Sequence, residues 1–481
     1  MNVPDSHAHT AMDAKIGSKL AVLREASRRE PYPSLAVRRD RLQRGIAAIL
    51  ANEKRIVAAM NADFGVRPEA LTMMAEVVAP VNSMRHAIKN LARWMKPEKR
   101  PAMFPLGVVG GRAWVHHQPL GVIGIMVPWN VPLGIGFTGL AGALAAGNRA
   151  LLKPSELAPH AAEIMAEIVQ SAYDASEVEV CQGGLEVARE FAEQPFDHLL
   201  YTGGPGVARS VMASAAKNLV PVTLELGGKS PCIVAQGSDL AYAASKVVMG
   251  KFGNAGQVCM GVDYAMVHRN DLPGFLEEVR KTFARCFPNA MHNPDYTNIH
   301  LLRRRETILR MVLEAQAAGA QIELLAGDMA ACTDESRRFP PMLAIEPPEQ
   351  CKLGNEEIFG PILPVVTYGT LDEAIARINR QTRPLALYFL GGDAAAKHQL
   401  LEQTHSGGVT FDDVMLHPMM QDLPFGGVGE SGMGRYLGYD GFKTFSNQRG
   451  VFQRPWFDIS RYWAPPYTPA LVNRLRRIAG K

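Results

Sequence analysis

From residue 121 to residue 226 short apolar runs alternate with helical stretches, and that alternation constrains the fold more than any other feature of the chain. Strand-like residues 121–127 are followed by a helix, then by residues 150–152, a helix from about 159 to 173, and a strand at 178–181. A helix over 185–192 leads to a strand at 198–201, a turn at 203–206 opens a helix to about Asn218, and residues 222–226 close the series. Strands and helices alternating at this spacing predict a doubly wound parallel α/β sheet, which binds nucleotides beyond the carboxyl ends of its strands.

One part of this region also has the length of a membrane span, because residues 121–148 carry no charged side chain. Pro128 and Pro132 interrupt it around the polar Asn130, and glycines recur throughout. It resolves better into a strand (122–127), a loop (128–133) and a helix (about 137–146) of a buried soluble segment.

A chain of 481 residues is too long for one ordinary core, so two or three lobes are expected. Its 47% hydrophobic and 20% charged residues are those of a globular protein. A net charge of +4, with no dense Lys/Arg stripe, argues against a nucleic-acid binder. The short basic runs at 303–305 and 474–477 read as solvated helix faces. The six cysteines (181, 232, 259, 286, 332 and 351) are far apart and show no CxxC pairing, which is wrong for zinc and too sparse for a disulfide scaffold. The N-terminus has no apolar core of a signal peptide. A reducing, cytoplasmic setting is therefore expected, and the question becomes whether one cysteine is reactive.

Elsewhere, residues up to about Ser18 read as a mobile leader. Ile46, Ile49, Leu50, Val57 and Met60 recur at helical spacing, with Ser34 a candidate cap, and a helical hairpin is expected from 69 to 94. A second α/β lobe is expected over 227–412, with strands at 265–268, 362–366 and 387–389 and helices at 239–251 and 306–318. The segment from Leu423 is rich in glycine and aromatics. Trp456, Tyr462, Trp463 and Tyr467 in the tail are expected to bury against another surface.

Several phrases could carry chemistry. In Phe252-Gly-Asn-Ala-Gly-Gln-Val-Cys259-Met260 small residues allow a substrate and backbone N–H groups to approach a thiol, whose thiolate is the attacking form. Read alone, a lone cysteine is more often an inert core residue. Glu225-Leu-Gly-Gly-Lys-Ser-Pro231 places a carboxylate at a strand's carboxyl end, either as a general base for hydrolysing an acyl-cysteine or as the ion-pair partner of Lys229. Asn130 lies in a proline-bracketed loop, either a turn former or an amide aimed at an oxyanion together with a backbone N–H at the cysteine. Lys153-Pro-Ser-Glu156 follows the next strand, where such side chains can hydrogen-bond a dinucleotide ribose. The turn Thr202-Gly-Gly-Pro-Gly206 is similar to a phosphate-approach site, a weak signal by itself.

These phrases, in this order, resemble the aldehyde dehydrogenase superfamily over about residues 91–452. The strongest pieces are Pro128-Trp-Asn-Val-Pro, Leu152-Lys-Pro-Ser-Glu, Leu224-Glu-Leu-Gly-Gly-Lys-Ser-Pro, Gly256-Gln-Val-Cys, Glu357-Ile-Phe-Gly-Pro and Leu423-Pro-Phe-Gly-Gly-Val-Gly-Glu-Ser-Gly. Asp263-Tyr264 and Gly438-Tyr-Asp-Gly-Phe-Lys-Thr-Phe445 resemble the class 3 branch, especially bacterial coniferyl-aldehyde dehydrogenases. The tail, broken by Pro465, Pro466 and Pro469, is unlike the hydrophobic anchor that fatty aldehyde dehydrogenases of that branch carry.

The resemblance implies an α/β fold with a Rossmann-type NAD(P)-binding domain (19–108 and 126–226), a catalytic domain (227–412), an oligomerisation arm (109–125 and 413–451) and a tail (452–481). It implies Cys259 as nucleophile, Glu225 as general base and Asn130 as oxyanion donor, without a metal. Trp129, Lys153, Glu156, Gly203, Gly204, Leu226, Glu357 and Phe359 are the implied cofactor contacts, for NAD with NADP as an alternative. The implied substrate is an aldehyde, aromatic such as coniferyl aldehyde or medium-chain aliphatic, and the implied assembly a homodimer. The chain departs from the family pattern at Gly204, Pro205 and Ala208, where hydroxyls and a further glycine are usual, and at Asp412, where Asn is usual. A CoA-acylating enzyme and a catalytically silent binding protein remain the rival readings.

Overall fold

The computed structural model describes residues 7–480 except 105, 333–336, 457 and 459–463. Its first sheet has six strands in the order Gly432–Met433, Val222–Glu225, His198–Thr202, Val122–Met126, Arg149–Lys153 and Val178–Val180. All pairs are parallel except the short Gly432–Met433 edge. The first strand in sequence lies in the middle, with later strands added on either side, so the crossovers diverge there and open a crevice. Register aligns the strand ends: Met126 faces both Lys153 and Tyr201, and Thr202 faces Glu225. The loops after these strands therefore gather along one edge.

The helix Pro132–Ala146 starts five residues earlier than the sequence suggests. Pro132 stands at its first position, where the missing N–H is unneeded and the fixed φ is already helical. The helix is buried nearly all round, which explains why it has no charge. Gly139 lets Leu200 and Ile125 approach, and Gly147, at φ 92°, turns the chain into the next strand.

The second sheet has seven strands in the order Gln321–Leu324, Met342–Ile345, Ile362–Tyr368, Tyr264–His268, Pro231–Val234, Ala386–Leu390 and Gly408–Phe411, parallel except at Gln321–Leu324. The amino ends of its central strands face the carboxyl edge of the first sheet, since the chain passes directly from Glu225 to Pro231. A three-stranded antiparallel sheet pairs Arg112–Pro119 with Glu98–Arg100 and Ser446–Gln453. An α/β fold with two large sheets and a small third one agrees with the expected fold class.

Three expectations are corrected. Helix His7–Arg29 runs through the expected leader, and Ile16, Leu20 and Leu23 are buried against the first sheet. Residues 69–94 form one continuous helix and not a hairpin: Glu69–Thr72, a π turn over Met73–Val78, and Ala79–Trp94. Pro80 removes a backbone donor and crowds the preceding turn, and the wider π turn absorbs it. The second sheet contains strands that sequence reading leaves out, among them the short Pro231–Val234 and Met342–Ile345. In the tail, Trp456 is 88% and Tyr467 69% exposed in the single chain, while Tyr462 and Trp463 lie outside the described residues. Among the described residues no helix is long and apolar enough to cross a membrane.

Asn148, fully buried, knots the first sheet to the small one: it accepts from Gly121 N (2.9 Å) and donates to the carbonyls of Phe445 (2.8 Å) and Ala143 (3.2 Å). Asn148→Ala is expected to lower the thermal unfolding midpoint, at about 1–3 kcal/mol for each buried group left unpaired. An unchanged midpoint in a calorimetric scan would show that water replaces the amide.

Candidate active site

A cavity of about 910 Å³ lies between the carboxyl edge of the first sheet and the amino edge of the second. The implied catalytic and cofactor residues all line it: Asn130, Glu225 and Cys259, with Trp129, Lys153, Glu156, Gly203, Gly204, Leu226, Glu357 and Phe359. Among the described residues no group of three or more His, Cys, Asp or Glu is placed to hold a metal ion.

Cys259 is half-buried at the cavity wall, in a loop that follows a left-handed turn. Asn254, Ala255 and Gly256 all have positive φ (50°, 50° and 73°), a conformation that costs non-glycine residues free energy and needs support from its surroundings. Support comes from Gln257, whose amide donates to the carbonyls of Asn254 (2.9 Å) and Asn298 (3.0 Å) and accepts from His300 N (2.8 Å). The Gln257 carbonyl in turn accepts from the side chains of Asn254 and Asn130, both at 3.1 Å. Asn130 thus spends one amide hydrogen on the cysteine loop and keeps the other.

Glu225 is 1% exposed, and neither of its oxygens accepts a hydrogen bond from an N–H or O–H group. Burial pushes its pKa up to about 7; the Cys259 thiol beside it pulls down, and the Glu357 charge pushes up. Burial, then the Glu225 carboxylate, raises the Cys259 thiol well above its ordinary value, against a Met260 backbone N–H that favours the thiolate. The two groups form a coupled pair in which the carboxylate is the stronger claimant to the negative charge.

Lys229 does not pair with Glu225. Its ammonium donates to Asp263 Oδ2 (2.7 Å) and to the Glu356 carbonyl (3.0 Å). Asp263 also meets Lys251 (3.4 Å) and accepts from Ile358 N (3.1 Å), between Glu357 and Phe359. Arg304 reaches the carbonyls of Glu357 and Ile358, so the 303–305 run is not wholly a solvated face: Arg304 lines the cavity and Arg305 is 9% exposed. The Glu357 carboxyl lies over Gly227, where a Cβ would stand 2.1 Å from its oxygen, and burial pushes its pKa up to about 7. On the far wall the Lys153 ammonium is buried beside Glu156 (3.3 Å) and bonded to the Pro154 carbonyl (2.8 Å). Gly204 caps the helix Pro205–Ala216, and added Cβ atoms at Gly204 or Gly206 would meet open space. The structural roles of Asp263, Lys251, Gln257 and Arg304 escape sequence reading because most of their partners lie far along the chain.

The aldehyde dehydrogenase family model matches residues 8–451. A "Probable coniferyl aldehyde dehydrogenase" of Caulobacter vibrioides is 42% identical, covering 97% of each chain. The coniferyl aldehyde dehydrogenase of a Pseudomonas species is also 42% identical, covering 96% of this chain and 95% of that one. A solved substrate-bound state of Staphylococcus aureus AldH superposes with a TM-score of 0.89 at 31% identity, covering 99% of this chain and 100% of the other.

Gly256→Ala puts a methyl group 2.3 Å from the Gly360 carbonyl. The left-handed turn must then shift, and turnover is expected to fall by on the order of 10²-fold for a displacement of about 1 Å at the thiol. Steady-state kinetics on the folded variant checks this; wild-type turnover would mean that the turn does not set the thiol's position.

Proposed function

The chain belongs to the aldehyde dehydrogenase family and is an NAD(P)-dependent aldehyde dehydrogenase; from that premise we propose that it works through a thioester on Cys259. The observation that carries this reading is the facing pair of Cys259 and Glu225 on the cavity wall, with the Asn130 amide tied to the same loop.

Glu225, with a pKa of about 7, takes the Cys259 proton, and the thiolate adds to the aldehyde carbon. The free amide hydrogen of Asn130 stabilises the developing oxyanion. The dinucleotide, when bound, accepts the hydride that the carbon loses. Collapse of the adduct leaves the acyl group on Cys259. Glu225 passes the thiol proton on to solvent and, as carboxylate again, takes a proton from water, which attacks the thioester and releases the carboxylic acid and the thiolate. Glu225 as water activator also favours hydrolysis over transfer to CoA.

The residues fit a dinucleotide. Pro205 lacks an N–H, but the next amides of its helix are free donors, and the glycines on either side of it leave room for a pyrophosphate. Lys153 and Glu156 form the wall assigned to the adenosine ribose, and Glu357 the support of the nicotinamide ribose. The Glu156 carboxylate favours NAD over the 2′-phosphate of NADP. Trp129 and Phe359, in edge contact at 5.6 Å, give the nicotinamide an aromatic wall, with Leu226 beside it. This fit disfavours a silent binding protein. The named relatives support an aromatic aldehyde of the coniferyl type as substrate. The small antiparallel sheet, with Phe452 half exposed beside Arg112–Pro119, is the arm assigned to a homodimer.

With coniferyl aldehyde and NAD, conversion of the aldehyde to its carboxylic acid, followed by chromatography, is expected, and it should disappear in Cys259→Ala. A few per cent of wild-type turnover in that variant would sink the thioester reading. The base form of Glu225 exists above its pKa, so kcat should rise through about pH 7 and fall as pH drops below it. A profile flat from pH 6 to 8 would remove Glu225 from the rate-limiting proton transfer.

A further inference from the structure

Arg67 and Glu76 form an ion pair with both side chains at 0% exposure. Arg67 lies between the helix Glu53–Phe64 and the helix that starts at Glu69, and Glu76 lies in the π turn Met73–Val78. One terminal guanidinium nitrogen, Nη2, donates to Glu76 Oε1 at 2.8 Å and the other, Nη1, to the backbone carbonyl of Asn130 at 3.0 Å. The second carboxylate oxygen accepts from Gly134 N at 2.8 Å. The pair therefore grips the 130–134 turn at both ends. The Phe64 ring lies 4.9 Å from the guanidinium, and the Ala75 carbonyl packs so close to Gly134 that a Cβ there would stand 2.2 Å from it.

A buried ion pair adds little stability over apolar residues of the same volume, but a planar guanidinium fixes direction. Here the direction it fixes is that of one backbone carbonyl, and the residue owning it is Asn130. The Asn130 side chain is held from the opposite side by the Gln257 carbonyl, so main chain and amide are each anchored once. Among the described residues, Arg67 is the side chain that bonds the Asn130 main chain.

We propose that the Arg67–Glu76 pair, with its π turn, is a positioning device that aims the free amide hydrogen of Asn130 at the oxyanion. Neither residue lines the cavity, so both act through Asn130. The inference rests on the reading of Asn130 as the oxyanion donor.

A double-mutant cycle tests it. Arg67→Lys and Glu76→Gln are each made alone and with Asn130→Ala, and kcat is measured with coniferyl aldehyde and NAD where circular dichroism shows folded protein. Asn130→Ala is expected to lose about 10²–10³-fold in kcat. Each pair variant alone should lose on the order of 10–10²-fold. In the Asn130→Ala background the same changes should cost no more than about 2-fold, because the group they aim is gone. A general structural role predicts instead that the losses multiply, and that result overturns the proposal. So does wild-type kcat in either folded pair variant. If Asn130→Ala itself keeps wild-type kcat, the oxyanion reading fails first and the inference falls with it. Should Arg67→Lys not fold, the isosteric Glu76→Gln carries the cycle.

Discussion

One buried carboxylate between two buried ammonium groups holds the site's three walls together. Asp263 meets Lys229, four residues beyond Glu225, and Lys251, at the end of the helix that leads to Cys259. Its remaining contact is the Ile358 amide, between Glu357 and Phe359. Charges this deep are tolerable only when paired, and stranding one costs about 3–5 kcal/mol. The cluster can therefore exist only when the strand-end turn, the cysteine loop and the 356–359 segment stand in their mutual places. Its cations outnumber its anion, and burial with the neighbouring Lys229 charge pulls Lys251 down to about 8. The Glu357 carboxyl, facing the same cluster, is held neutral more readily by burial and by Asp263.

Strain sits beside this cluster. Three successive left-handed residues before Cys259 are an arrangement the backbone does not choose for itself, and the Gln257 amide holds it by spending its hydrogen bonds on Asn254, Asn298 and His300. The same loop takes the Asn130 amide, so candidate nucleophile and candidate oxyanion donor share one rigid support. Preorganisation of this kind is what lets a few hydrogen bonds act on a transition state without reorganising first.

The five parallel strands of the first sheet are legible in the sequence because each is a short apolar run between turn residues, and their ends shift by only one or two positions; the two-residue Gly432–Met433 edge is not. The second sheet is less so: Pro231–Val234 follows the Glu225 turn with no spacer, and Gln321–Leu324 is a half-exposed edge whose apolar face is only Ile322 and Leu324. Helix Glu69–Trp94 misleads because Pro80 reads as a breaker, whereas a π turn accommodates it. The motif residues stand out because glycines and prolines frame them. Arg67, Glu76, Asp263 and Arg304 do not, since each acquires meaning only from a partner brought close by the fold. Arg304 in particular looks like its neighbours in a basic run until its contacts with the 357–358 carbonyls are seen.

The central claim is the acyl group on Cys259, and intact-protein mass spectrometry of Glu225→Gln, followed by peptide mapping, tests it most directly. With coniferyl aldehyde and NAD, deacylation should stall and the protein should gain one acyl group, mapped to the peptide containing Cys259. An enzyme that turns over in this variant with no adduct, or with the adduct on another of its cysteines, would contradict the account.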